Sequence, residues 1–342
     1  MRHLQRSRRR RVIGGIATWL VLLACVAVAP ATATPLVVRL GWITAPAEIM
    51  PMVYMHPTML KHYGKSYTVE LTRFRGSGPP VAALAAKEVD LAALSYASFA
   101  NAILNAKLDL RVVADDLQLR KENFSGAFVV KPDSAITSVA QIRGKTVGVQ
   151  SFGSGADLSL RMMMRRHGLE AFRDYNIIEV GIPNQLAYLQ EGKLDVANLT
   201  QPFYSRALAQ KKGRPLFFNA DSLGNTQFVF YVARREFLDR HRAVLGDFFE
   251  DFLRGWRWVL APANRDAVLD LAARVTKQPR AIYESWMLTK LDYFRDADAL
   301  PDIAALNTSL AQLKEMGFTK ESFDATPYLD LSFIKQAAER LR

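Results

Sequence analysis

Cysteine is almost absent: Cys25 is the single one in 342 residues, and it falls within the first 33. A chain with one cysteine forms no internal disulfide, and a fold built from residue 34 onward has no thiol nucleophile and no cysteine-based metal site. Histidine is scarce as well. His56, His62, His167 and His241 are scattered, with no spacing that sets two ligands on one helical face. No nucleophile–base pair is readable, so neither a catalytic residue, a metal nor a cofactor is expected. Acidic residues are missing before Glu48, and that same stretch holds Arg2, Arg6, Arg8, Arg9, Arg10 and Arg11. These six account for half of the formal net charge of +12. Elsewhere no basic run exceeds Lys211-Lys212 or Arg234-Arg235, so the charge does not form a nucleic-acid surface.

The beginning of the chain reads as an export signal over residues 1–33. A basic segment precedes an uncharged apolar stretch over 12–29, and the small-residue site Ala31-Thr32-Ala33 follows Pro30. Cleavage after Ala33 starts the mature protein at Thr34 in the periplasm. Three alternatives stay open. The apolar stretch is long enough to be retained as an anchor. Leu22-Leu23-Ala24-Cys25 resembles a bacterial lipobox, which would make Cys25 a lipidated first residue, and Arg9-Arg10-Arg11-Val12-Ile13 is a loose twin-arginine pattern.

After Pro35, short apolar runs alternate with helical periodicity, which is the pattern of an α/β fold. Strands are expected at 36–42, 67–74, 89–94, 110–114, 128–130, 146–150, 177–180, 195–199 and 228–232. Helices are expected at 48–63, 79–87, 98–105, 138–142, 155–167 and 184–191, then around 236–260, 264–276, 279–289 and 303–316. One segment recurs. Val89-Asp90-Leu91-Ala92-Ala93-Leu94-Ser95 aligns without a gap on Leu194-Asp195-Val196-Ala197-Asn198-Leu199-Thr200. Both lie in the same context of strand, Gly/Ser loop, helix and Asp-led strand ending in a hydroxyl residue. The repeat implies two similar α/β lobes, and ligands in open α/β sheets sit at the carboxyl ends of strands. Ser95 and Thr200 are then expected to face one cleft from opposite sides.

The chain resembles the periplasmic substrate-binding proteins of ABC transporters, in the nitrate/sulfonate/taurine and pyrimidine-precursor group. The resemblance rests on Phe74-Arg75-Gly76-Ser77-Gly78-Pro79, Glu88-Val89-Asp90-Leu91-Ala92, Ile142-Arg143-Gly144-Lys145-Thr146-Val147-Gly148-Val149, Gly192-Lys193-Leu194-Asp195-Val196, Gln201-Pro202-Phe203 and the tail from Leu329 to Ile334. It implies a type II two-lobed fold, with a ligand cleft between lobes joined by two hinge crossings near 125–131 and 222–228. The lobes divide as 34–128, 129–224 and a return over 225–342. It also implies a monomer that captures a small solute and delivers it to an ABC permease and its ATPase subunit. An enzyme on the same fold and a solute receptor for a sensor are the alternatives.

Candidate site residues follow from both readings. Ser151, Phe152, Ser154 and Gly155 lie between a strand and a helix, where backbone N–H groups and the helix dipole favour an anionic or polar group. Ser77 and Gly78 occupy the matching loop of the first lobe. Trp42 and Thr44 follow the first strand, Ser95 and Tyr96 the third, and Thr200, Gln201 and Phe203 their second-lobe equivalent. Tyr204, Asn225, Thr226 and Gln227 are further candidates. An anionic solute would use a nearby Arg75 or Arg120, whereas a pyrimidine-like or aromatic one would use Trp42, Tyr96, Phe152, Phe203 and Tyr204.

Two motifs mislead. Arg143-Gly144-Lys145-Thr146 ends like a phosphate-binding loop, but Val139 stands where that motif needs glycine, and Thr146 opens a strand rather than a helix. Met162-Met163-Met164 points round a helix and cannot converge on a copper ion.

Overall fold

The computed structural model describes residues 34–342 apart from residue 124. The expected export segment and Cys25 lie outside the described residues. Pro35–Arg342 forms one compact unit, built on two five-stranded sheets.

The first sheet contains β1 (Leu36–Trp42), β2 (Tyr67–Arg73), β3 (Leu91–Ser95), β4 (Leu110–Leu119) and β10 (Thr226–Arg234). The second contains β5 (Gly126–Val130), β6 (Thr146–Val149), β7 (Asn176–Glu179), β8 (Val196–Thr200) and β9 (Arg214–Phe218). Their orders, β2-β1-β3-β10-β4 and β7-β6-β8-β5-β9, are the same arrangement. β1 in the first sheet and β6 in the second each pair in parallel with two neighbours, while β10 and β5 run antiparallel to both of their partners. The antiparallel strands β5 and β10 are the ones by which the chain enters the second sheet and returns to the first.

The sequence repeat has a structural cause. Leu91 and Ala92 of β3 face Leu40 and Gly41 of β1, while Val196 and Ala197 of β8 face Val147 and Gly148 of β6. Ahead of each strand an aspartate is stapled to its neighbour. Asp90 accepts the Arg39 N–H at 3.0 Å, and Asp195 accepts the Thr146 N–H at 2.9 Å. The carboxylate supplies the acceptor that the parallel ladder lacks at its lower end.

The helices are α1 (Ile49–Tyr54), α2 (Pro79–Ala85), α3 (Tyr96–Leu104), α4 (Gly155–Arg166), α5 (Ile182–Gln190), α6 (Phe203–Ala209) and α7 (Asn219–Leu223). After β10 come α8 (Arg235–Leu260), α9 (Arg265–Thr276), α10 (Ala281–Glu284), α11 (Ile303–Glu315) and α12 (Ser332–Arg340). Most of the long C-terminal stretch packs on the first sheet, where Phe248, Phe249, Phe252 and Trp256 of α8 are fully buried.

Two expected helices are shorter than their periodicity suggests. The helix expected over 48–63 stops at Tyr54, because Pro57 lacks an N–H for the helical ladder and drives His56 out of helical dihedrals; further on, Asp251 of α8 takes the N–H groups of Lys61, His62 and Tyr63 at 2.8, 2.8 and 3.2 Å. Those amides therefore serve a distant carboxylate instead of a helical ladder. The helix expected over 279–289 shrinks to α10, since Leu288 adopts a left-handed φ of 58° and donates its N–H to Asp292. In contrast β4 runs five residues past its expected end. The elements α6, β9 and α7 carried too little periodicity to be read.

Candidate functional site

The carboxyl ends of β3 and β8 point into a cleft between the sheets. Its deep end is a cavity of about 40 Å³, lined by Thr44, Glu48, Ser77 and Ser95 on one side and by Gln150, Asn198, Thr200 and Gln201 on the other. Phe228 and Tyr293 complete its apolar wall. Outward the space widens into a chamber of about 620 Å³ bordered by Arg73, Arg75, Glu179 and Asn184. A second one, of about 340 Å³, is bordered by Trp42, Arg73, Phe203, Arg206, Gln278 and Tyr283. Thr44 borders all three spaces.

Local sequence dictates these positions. Ser95 ends β3 and caps α3, accepting the Ser98 N–H at 3.2 Å. Its hydroxyl also joins a closed ring, Ser77 to Ser95 at 3.1 Å, Ser95 to Ser98 at 3.1 Å and Ser98 back to Ser77 at 3.0 Å. Ser154 caps α4 in the same manner, accepting the Asp157 N–H at 3.3 Å. Both caps satisfy helix N–H groups that would otherwise be orphaned. Gln201 is fully buried and held at both ends, donating to the Leu291 carbonyl and accepting the Ser205 N–H.

Of the residues selected from sequence, Thr44, Ser77, Ser95, Thr200 and Gln201 line the deep cavity, and Trp42 and Phe203 border the outer chamber. The others lie elsewhere. Tyr96 is fully buried behind the wall against Phe228. Phe152 is 48% exposed, packs edge-on to Phe172 and gives its N–H to Glu179. Gly78 stands exposed at the start of α2. Gly155 packs its backbone on Phe228. Ser151 has a buried hydroxyl without a partner, near the backbone of Gly76 in the opposite loop. Tyr204 belongs to the second lobe's core. Asn225, Thr226 and Gln227 staple the return crossing; Gln227, for example, donates to Asp115 at 2.6 Å and accepts the Asp302 N–H at 2.7 Å. Arg120 is engaged by Asp302 at 2.9 Å and is no free cation.

Four cleft-lining positions were not among the residues selected from sequence: Glu48, Gln150, Asn198 and Arg73. Asn198 had a usable signal, being the polar residue that replaces Ala93 in the repeat. Gln150 follows β6 where Ile43 follows β1, and Arg73 ends an ordinary-looking strand. Glu48 was visible only as the first acidic residue of the chain. It is 2% exposed, and its carboxylate accepts the N–H groups of Ile43 at 2.9 Å and Thr44 at 2.7 Å. Burial outweighs those bonds and pushes its pKa up to about 7.

The outer chambers have the opposite character. Arg73 lies 5.3 Å from the centre of the Trp42 ring and Arg206 5.4 Å from that of Phe203. No carboxylate among the described residues forms an ion pair with Arg73, Arg75 or Arg206. Glu179, the acid that borders the larger chamber, is engaged by the Phe152 N–H. The cleft is therefore polar and neutral to acidic at its floor and cationic toward its mouth. Among the described residues no group of three His, Cys, Asp or Glu side chains could hold a metal ion, and no helix is long and apolar enough to cross a membrane.

No curated relative matches the sequence. Solved structures do match over nearly their whole length. The alkanesulfonate-binding protein SsuA from Xanthomonas axonopodis pv. citri, bound to MOPS, is 18% identical with a TM-score of 0.70, covering 87% of this chain and 99% of that one. The periplasmic nitrate-binding protein NrtA from Synechocystis PCC 6803 is 13% identical with a TM-score of 0.69, covering 90% and 89%. The desulfurization enzyme DSZB is 15% identical with a TM-score of 0.64, covering 89% and 100%. At these identities the likeness is one of fold, and it establishes the two-lobed binding-protein architecture. The model of the NMT1-like family matches residues 31–273. The chain belongs to the NMT1-like family.

Proposed function

We propose that this protein is the exported solute-binding component of an ABC importer, and that it captures a small organic anion between its lobes and hands it to the permease. One observation carries the reading: Arg73, Arg75 and Arg206 border the outer cleft without a carboxylate partner among the described residues. An unpaired guanidinium fork in a concave, partly desolvated site suits a carboxylate, sulfonate or phosphate. Thr44, Ser77, Ser95, Thr200 and Gln201 then serve the inner part of the solute, and Trp42 and Phe203 its flank. Contacts made to both lobes at once exist only in the closed form, so binding draws the open–closed equilibrium toward closure. The two crossings between the sheets, after β4 and before β10, are the natural hinge.

An enzymatic reading draws on the likeness to DSZB. The described residues contain no cysteine, and the inner cleft presents hydroxyl, amide and carboxyl groups with no histidine among them. That set favours capture over turnover.

The test begins by unfolding and refolding the purified protein to strip carried-over solute. Its melting temperature is then measured against nitrate, alkanesulfonates, pyrimidines and aromatic acids. A bound solute raises the melting temperature, by RT ln(1 + [L]/Kd) in free energy. The expected outcome is stabilisation by one class of organic anion and no consumption of it. Turnover of a solute without stabilisation by any would overturn the proposal.

A further inference from the structure

Helix α4 belongs to the second lobe but serves two cores. Leu160, Met163 and Met164 join the second lobe's hydrophobic cluster, whereas Leu158 and Met162, one turn apart, are buried in that of the first. The triplet Met162-Met163-Met164 is thereby divided between the lobes. Arg161 and Arg165 lie on the same helical stripe as Leu158 and Met162 and continue the attachment outward. Arg165 donates to the Met316 carbonyl at 2.7 Å, capping the C-terminal end of α11. The Arg161 guanidinium, held by Asp157 at 2.7 Å, lies 5.4 Å from the centre of the Phe172 ring and 5.5 Å from that of Phe318. Phe318 follows α11, so this cation joins one aromatic ring from each lobe.

Phe172 is strained where the first lobe is not. Its φ is 63° and its side chain is 61% exposed. The matching turn of the first lobe places Gly64 there, at a φ of 76°. Both residues donate their N–H at 2.7 Å, Gly64 to the Tyr67 carbonyl and Phe172 to that of Tyr175. Glycine adopts this conformation freely and phenylalanine does not. On the opposite flank the lobes stand apart. Phe203 and Arg206 of α6 face Val275, Thr276 and Gln278, at the end of α9, across the chamber of about 340 Å³.

Resting on the reading of a cleft that closes on a solute, we infer that the α4 seam is, with the crossings, the pivot of that closure. The mouth then opens on one flank alone, between α6 and α9. Parting the lobes at α4 would expose Leu158 and Met162 and strip two guanidinium contacts, whereas parting them at α6 only widens a space already open. Gln201 and Asn123, which donate to the carbonyls of Leu291 and Asp292 beside the crossing, fix the other end of the axis. Arg161, Arg165 and Phe172 border none of the three spaces of the cleft. They are positioning residues, acting on the solute only through the lobes they hold together.

Electron–electron distance measurements on the full chain test this, with Cys25→Ser and spin labels on introduced cysteine pairs. His167→Cys with Lys314→Cys spans the seam, and Gln210→Cys with Arg274→Cys spans the open flank; all four positions are exposed. Without solute the seam distance should be narrowly distributed, and the flank distance at least about twice as broad. Phe172→Gly, which relieves its own turn, and Arg165→Gln should broaden the seam distribution and leave the melting temperature nearly unchanged. Should a variant fail to fold, the widths of the two labelled pairs still decide. Equal widths, or a broader seam, would overturn the inference. Ethanesulfonate is then added, and shortening at the flank alone is expected. Equal movement of both pairs would overturn the pivot and leave solute capture standing. If neither distance moves, the capture reading fails for this anion, and the solute-free widths decide the seam by themselves.

Discussion

The backbone of Gly155, at the start of α4 in the second lobe, lies against the ring of Phe228 in the first-lobe strand β10. A Cβ at Gly155 would stand 2.4 Å from Phe228 Cε2. The two lobes meet here without a side chain between them, beside Ala156 and Phe228 at the cavity wall. Phe228 cannot retreat easily, since it stacks on Tyr293 and packs on Tyr96. Gly155→Ala is expected to hold the lobes apart. Solute affinity should fall about tenfold or more while the melting temperature changes little, because the loss falls on closure rather than on either core. Small-angle scattering with saturating solute checks it: the wild type compacts and the variant does not.

The paired aspartates give a second prediction. Asp90 is 1% exposed and ion-paired to Arg39 at 2.7 Å and Arg234 at 2.6 Å, besides its backbone staple. Asp195 has a side chain 41% exposed and a lysine only at 4.0 Å. Replacing Asp90 by alanine leaves a mostly buried Arg234 with only the longer ion pair to Glu236 at 3.9 Å and should cost roughly 3 kcal/mol. The same change at Asp195 removes little beyond one hydrogen bond and should cost about 1 kcal/mol. Urea unfolding of both variants measures the gap, and equal losses would refute the distinction.

This pair also marks how far the sequence could be read. The Asp-led strands, their hydroxyl ends and the two-lobe repeat were legible because each depends on neighbours in one βαβ unit. Ser95 and Thr200 were found that way. Glu48 was not, because its role arises when the turn from Ile43 to Glu48 folds its carboxylate back onto two amides. The last turn of the helix expected through residue 63 is lost for a related reason: Asp251, which captures the amides of Lys61, His62 and Tyr63, is almost 190 positions away. Periodicity reports which side chains are buried, whereas these two features depend on where a distant polar group ends up.

Charge at the mouth of the cleft leads to a third prediction. Arg73 borders both outer chambers and Arg206 one of them. Each is partly solvated, so Arg73→Gln or Arg206→Gln should weaken anion binding by only about three- to tenfold, Arg73 more than Arg206. Salt screens such sites, with a Debye length of about 10 Å at 0.1 M. The wild type should therefore lose affinity between low and moderate salt, and the variants should lose less. Titration of each protein with a bound anion at two salt concentrations separates these outcomes, and identical salt slopes would show that these arginines do not act on the ligand.

The buried carboxylates make stability fall as pH rises, opposite to the usual effect of salt-bridged acids. Burial lifts Glu48 from 4.5 to about 7 and Asp115 from 3.8 to about 6. Between those limits the folded protein holds more protons than the unfolded chain, so the unfolding free energy declines with pH. The decline starts near pH 4, above which the unfolded carboxyls ionise; Glu48 and Asp115 complete their share near pH 7, and Asp116, raised further by burial and by neighbouring Glu48, carries the decline beyond it. A shift of one unit corresponds to about 1.4 kcal/mol, so together the two groups are worth a few kcal/mol. The solute-free protein should accordingly melt several degrees higher at pH 5 than at pH 7.5. Glu48→Gln has no proton to lose there and should flatten the profile in part, leaving the share of Asp115 and Asp116. A melting temperature that rises steadily from pH 5 to 7.5 without solute would mean that both carboxyls are ionised throughout.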